Sequence, residues 1–133
     1  YRFPDGVYQI KLVTTDSLAN PIDQAKTTER ISNTFEIDNS GHQISEIELQ
    51  TKDNLINVKF KVTDRFNPIQ DLLYSIDWNK WKRVFPTDKI FDTRNEYFEI
   101  QDSFIKDGST HSLMFKAIDL VFNLGFAHRY FEE

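Results

Sequence analysis

The sequence contains no cysteine, which excludes disulfides, thiolate metal sites and cysteine nucleophiles. No apolar run approaches the ~20 residues that a spanning helix needs. There is no basic excess either: 16 Lys and Arg stand against 21 Asp and Glu, for a net charge of −5. That balance argues against nucleic-acid binding through bulk charge. No basic amphipathic stretch suggests a membrane-surface helix. The chain opens on Tyr1 rather than Met, with no signal peptide before it, and reads as a fragment of something longer. Catalytic signatures are also missing. His42, His111 and His128 fall in neither a G-x-S-x-G nor an H-E-x-x-H pattern and read as surface or half-buried strand residues. The carboxylates show no spacing that selects an acid/base pair. Glu46, Glu48, Glu96 and Glu99 read as the charged faces of exposed strands.

What is present is apolar and aromatic material for a packed core, at 39% and 14% of 133 residues. The length suits one domain, or one small domain plus part of another. The dominant period is two. Tyr8, Ile10 and Leu12 alternate with Gln9 and Lys11. Val58, Phe60 and Val62 alternate with Lys59 and Lys61, and Leu113, Phe115 and Ala117 follow the same rule. Such alternation marks half-buried strands. Turn signals punctuate them: Asp5-Gly6, Asn20-Pro21, Asn39-Ser40-Gly41, Lys52-Asp53-Asn54, Asn67-Pro68, Pro86-Thr87-Asp88 and Lys106-Asp107-Gly108. The pattern predicts strands over 7–14, 34–38, 44–50, 56–63, 71–77, 81–85, 95–101, 111–119 and 126–132. At most a single helical turn is expected at 25–31 or 103–106. Together these features predict an all-β fold, an antiparallel sandwich.

Two stretches resemble one another. Asp5-Gly6, a strand and Asp16-Ser17-Leu18-Ala19-Asn20 are echoed by Asp107-Gly108, a strand and Asp119-Leu120-Val121-Phe122-Asn123. In D-x-x-x-N the Asp accepts backbone N–H groups of a turn, and the Asn tolerates the left-handed conformation that closes it. The copies lie about one sandwich domain apart, ~100 residues.

The segment Asp5 to Leu12, the turn Asp16…Asn20-Pro21 and Phe35-Glu36-Ile37-Asp38-Asn39 resemble the last strands and linker of a bacterial immunoglobulin-like module. Tyr74-Ser75-Ile76-Asp77, Trp81 and Val84-Phe85-Pro86 resemble the middle of the next one. The family is close in architecture to fibronectin type III domains and occurs in tandem in secreted and surface proteins. The resemblance implies an immunoglobulin-like sandwich over 44–133, preceded by an extra β-hairpin, residues 1–40, left from a truncated module. That hairpin is expected to pack on the module or to pair with its copy in a homodimer; one larger sandwich is the alternative.

Four groups of residues are candidates for function. Asp16, Asn20, Asp38 and Asn39 offer oxygens suited to calcium near the junction, though turn capping explains the same residues. Asp16, Asn20, Asp119 and Asn123 are expected to close turns, and Trp81, Phe60 and Phe115 to sit in the core. Trp78, Lys80 and Trp81 occupy a turn where the resembled family carries small residues. Trp78 reads either as a cover over its own sheet or as a platform for a sugar ring or protein partner. Most phenylalanines, including Phe85 and Phe126, are expected in the core. Phe122 is expected to be exposed within its turn, and Phe91 to fold inward. The resulting expectation is a non-catalytic spacer or interaction module of a larger extracellular or cell-envelope protein, without cofactor, whose partners are neighbouring domains. Carbohydrate binding through Trp78 is the alternative.

Overall fold

A computed structural model describes residues 2–21 and 23–132. Eleven strands and no helix are found among them. The chain divides into two units, Tyr1–Asp38 and Asn39–Glu133.

The first unit is an antiparallel ribbon. Strand β1 (Gly6–Tyr8) pairs with β4 (Phe35–Ile37), and β2 (Lys11–Thr15) with β3 (Thr27–Ile31). Thr27–Ile31 is therefore a strand, not a helical turn. Its two threonines and isoleucine suit an extended chain, and pairing with β2 overrides the polar local pattern. The ribbon continues between the two pairings. Ile10 N–H donates to Ser32 Oγ at 2.9 Å and Ser32 N–H to the Ile10 carbonyl at 2.9 Å. Tyr8 donates its hydroxyl to the Pro4 carbonyl at 2.7 Å and lies between the rings of Phe3 and Phe35.

The second unit is a two-sheet sandwich. One sheet has the order β5-β6-β9, from β5 (Gln43–Lys52), β6 (Leu55–Thr63) and β9 (Asn95–Ser103). The other has the order β11-β10-β7-β8, from β7 (Ile69–Ile76), β8 (Lys82–Arg83), β10 (His111–Asp119) and β11 (Leu124–Phe131). All pairings are antiparallel.

The core follows from the alternation. Ile56, Val58, Phe60 and Val62 of β6 and Phe98 and Ile100 of β9 point inward from one sheet. Leu72 and Tyr74 of β7 and Leu113, Phe115 and Ala117 of β10 meet them from the other. Phe60 stacks on Phe98 with centroids 5.3 Å apart and reaches Phe115 at 4.5 Å. Phe91 packs inward between Phe85 and Phe98. One irregularity matters. Ser45 pairs with Lys61 but Glu48 with Lys59, so β5 carries an extra residue, and Glu46 there has φ of 52°. This bulge reverses the parity, so Ile44 and Ile47, three apart, both reach the core.

Four residues of the strands and their flanks depart from the expected burial. Trp81 is 40% exposed, not in the core, because β8 shrinks to two residues and the chain before it lies outside the sheet. Phe85 and Phe126 are also exposed. Glu96 is buried at 4%, because its carboxylate caps the preceding loop. It accepts the N–H groups of Asp92 and Thr93 and the Thr93 hydroxyl.

The close approach of β11 to the start of β5 requires two glycines. A Cβ on Gly125 would lie 2.0 Å from the His42 carbonyl oxygen, and one on Gly41 would lie 2.1 Å from that of Leu124. Both obstacles are backbone. Gly125→Ala is expected to destabilise the protein by about 1–3 kcal/mol through overpacking. Phe60→Ala is expected to cost about 3–5 kcal/mol through the cavity it leaves. Urea unfolding midpoints check both.

Candidate functional site

The chain leaves β7 through a tight turn. Asn79 N–H donates to the Ile76 carbonyl at 3.0 Å, and Asp77 and Trp78 between them have φ of 51° and 59°. Two successive left-handed residues define a type I′ turn, which favours Asn, Asp and Gly. Asp77 suits its place and is fixed there. Its Oδ1 accepts the Ser112 N–H at 2.8 Å and its Oδ2 lies 2.8 Å from His111 Nδ1. Trp78 does not suit its place: a bulky side chain in the left-handed region is strained. Nor does it cover its sheet, as 79% of its surface is exposed.

Trp78 and Trp81 wall a groove of about 490 Å³ on the outer face of the four-stranded sheet. The floor comes from alternation on the two last strands. On β11, Gly125 and Ala127 point inward while Phe126, His128 and Tyr130 point outward. Across from them on β10 stand Lys116, Met114 and Ser112. The lining is mostly aromatic and apolar, with Ser112 and His128 as its polar side chains. Lys116 Nζ sits 5.1 Å from the Trp81 ring, and His128 meets Tyr130 edge-on at 5.5 Å. Lys80 does not join this groove; it lines a different one. The sequence carries a signal for this floor, and against the expectation for Phe126 it places that ring outside the core. Small residues at 125 and 127, interleaved with aromatics at 126 and 130, mark a strand whose large residues face outward.

The second groove, about 500 Å³, lies at the end of the sandwich where β10 begins. Asp102 of β9 bridges the two sheets there. It accepts the Tyr74 hydroxyl at 2.8 Å and pairs with Lys82. Burial raises the Asp102 pKa, but hydrogen bonds from Lys82, Tyr74 and the Ser103 N–H, with the Lys82 charge, outweigh it and hold the carboxyl below its ordinary range. Burial first, then the hydrogen bond and charge of Asp102, push the Tyr74 phenol above its own. His111 lies between the rings of Phe104 and Phe131 at 4.9 and 5.2 Å. It is buried rather than at the surface, because those rings close the end of the sandwich.

The four candidate calcium ligands do not converge. Asp16 and Asn20 lie in the loop after β2, at one end of the ribbon, while Asp38 follows β4 at the other. Gly6 and Thr15, nine steps apart along the ribbon, mark these ends, ~30 Å at the usual rise. Asn39 belongs to the other unit. Asp16 is instead a turn residue, its Oδ1 accepting the Lys26 N–H at 2.6 Å and its carbonyl those of Ala19 and Asn20. Asp119 caps the turn between β10 and β11. Its Oδ1 accepts the N–H groups of Val121 and Asn123, both at 2.8 Å, and its Oδ2 accepts Asn123 Nδ2 at 2.9 Å. Phe122 is exposed in that turn and, rather than Asn123, takes its left-handed conformation, at φ of 65°.

At the opposite end from His111, a third group gathers: His42, Asp64 and Asp119, with ligand atoms all within 4.8 Å of one another. His42, expected as a surface or half-buried residue, is fully buried, because Gly41 and Gly125 let its backbone press against β11.

No family model matches this chain, and no curated protein matches it. The fold and the Trp-walled groove define it as an all-β antiparallel sandwich with an exposed aromatic face.

Two outcomes follow. Trp78→Gly is expected to stabilise the protein by about 1–2 kcal/mol, because glycine relieves the left-handed strain; urea unfolding measures it. Asp102 has a depressed folded pKa, so its contribution is complete above the unfolded value of about 3.9 and fades as pH falls through the folded one. Asp102→Asn should therefore be less stable at pH 7, and its thermal midpoint should fall less than the wild type's below pH 4.

Proposed function

We propose that this chain is a non-catalytic interaction module of a larger extracellular or cell-envelope protein, docking a neighbouring domain of that protein across the Trp78 face. The carrying observation is Trp78 itself: 79% exposed and held at φ of 59°. Neither packing nor backbone preference explains a tryptophan there, and strained, exposed aromatics cluster where contact is made. The groove beside it has the composition of an interface core, with tryptophan, tyrosine, phenylalanine and methionine together. Seven strands split three and four between two sheets support the immunoglobulin-like and fibronectin type III-like reading.

Carbohydrate binding is the second reading, and the exposed Trp78 beside Trp81 and Tyr130 favours it over a plain spacer. A sugar needs several polar partners for its hydroxyls, and Ser112 and His128 are few. Both tryptophans wall the groove, so their fluorescence reports on it directly. In the longer polypeptide carrying its flanking domains, emission should shift to the blue relative to this chain alone, and acrylamide quenching should fall at least two-fold. An unchanged, fully quenchable emission overturns docking. A blue shift of this chain on adding a soluble polysaccharide, lost in Trp78→Ala, supports the sugar reading instead.

A further inference from the structure

We propose that His42, Asp64 and Asp119 form a divalent transition-metal site, zinc foremost, at the end of the sandwich where β5 begins and β6 and β10 finish. Three separate stretches of chain bring these side chains together. The His42 and Asp64 side chains are 0% and 2% exposed, and Asp119 is likewise fully buried.

Four observations carry the assignment. The first is the spacing. His42 Nδ1 and Asp64 Oδ2 are 3.4 Å apart, longer than the ~2.7–2.9 Å of a charge-assisted hydrogen bond. It matches the edge of a tetrahedron around zinc, about 3.3–3.4 Å for bonds of ~2.0–2.1 Å.

The second is how the Asp64 carboxylate is used. Its Oδ1 accepts the N–H groups of Phe66 and Asn67 at 2.7 and 2.9 Å. Its Oδ2, equally buried, receives no hydrogen bond among the described residues and faces the cluster. A buried carboxylate oxygen without a donor is costly unless a cation takes it. On Asp119, Oδ1 is held by the N–H groups of Val121 and Asn123 and Oδ2 by Asn123 Nδ2 at 2.9 Å, which fixes the carboxylate and leaves Oδ2 a second lone pair for the ion. Carboxylates held by their surroundings in this way are the usual support of a metal ligand.

The third is charge. Two buried carboxylates carry −2, and a protonated imidazole returns only +1. A divalent ion with a neutral imidazole brings the cluster to zero, and buried charge is tolerated when it is so balanced.

The fourth is the donor set, which discriminates among ions. One nitrogen and two carboxylates suit zinc and its neighbours. Calcium takes six to eight oxygens, and magnesium keeps an octahedral, hydrated shell; three buried ligands serve neither.

The test uses the whole chain, stripped with a chelator and returned to metal-free buffer. One equivalent of Co²⁺ should give the intense visible absorption of a low-coordinate site, displaced by one equivalent of Zn²⁺. Zinc at about 100 times its Kd should raise the thermal midpoint by roughly 10–20 °C. Asp64→Asn keeps an oxygen for the Phe66 and Asn67 amides, so it should fold. It should lose at least ten-fold in zinc affinity. If that variant does not fold, the cobalt spectrum of the wild-type chain decides alone. A weak, water-like cobalt spectrum overturns the proposal. So does a midpoint that zinc leaves unchanged, or equal affinity in Asp64→Asn.

Discussion

Strand β10 carries the constraint on which the second unit depends. Its alternate side chains are fixed to opposite sides of one sheet. Leu113, Phe115 and Ala117 enter the core against Phe60 and its neighbours, while Ser112, Met114 and Lys116 are committed to the outer face. The core is the larger energetic term, since each buried aromatic or aliphatic side chain contributes on the order of 1.5–3 kcal/mol. The outer face inherits whatever register the core dictates. A slip of one residue would expose Phe115 and bury Lys116. The groove beneath Trp78 and Trp81 is thus positioned by packing it takes no part in.

The same strand ties the two ends of the sandwich to different chemistry. At its start, His111 lies against Phe104 and Phe131 and beside Asp77. At its finish, Asp119 organises the turn into β11 and stands beside Asp64 and His42. Aspartates recur at these strand ends because a carboxylate can accept several N–H groups that the ladder no longer satisfies. Asp64 and Asp119 each accept two, and Asp77 accepts that of Ser112. At one end the carboxylates hold loops; at the other, backbone capture of Asp64 Oδ1 leaves its Oδ2 beside His42. A structural device thereby supplies the carboxylate of the proposed site, and the approach allowed by Gly41 and Gly125 supplies the imidazole.

Trp78 sets stability against contact. The turn fixed by Asp77 asks for a small residue at the next position and receives the largest. Strain of this kind persists where the surrounding structure holds it, and Asp77 is held by Ser112 and His111 of the adjacent strand. Trp81, two residues beyond Asn79, leans over the sheet with Lys116 at its ring. The two rings therefore come from one short connection whose geometry the sheet dictates.

Much of the architecture was legible in the residues. Alternation from Val58 to Val62 and from Leu113 to Ala117 specified strands with one buried face, and Asp119 to Asn123 specified the turn between the last two. These signals are local, because a period of two needs only the chain's own pleat. Where local pattern and pairing disagreed, the sequence misled. Thr27–Ile31 looks polar but pairs with β2, and Ile44 and Ile47 break the alternation until the bulge at Glu46 restores it. The sites were harder. Trp78 was visible as a misfit, but whether it covered or projected depended on the path from β7 to β8. The outward set on β11 depended on which face the core claimed. His42, Asp64 and Asp119 share no spacing that could announce them. By itself the sequence determined strands, turns and a sandwich, since these rest on each residue's neighbours along the chain. Only the tertiary structure decided which residues meet, because that depends on register and on how closely one backbone can approach another.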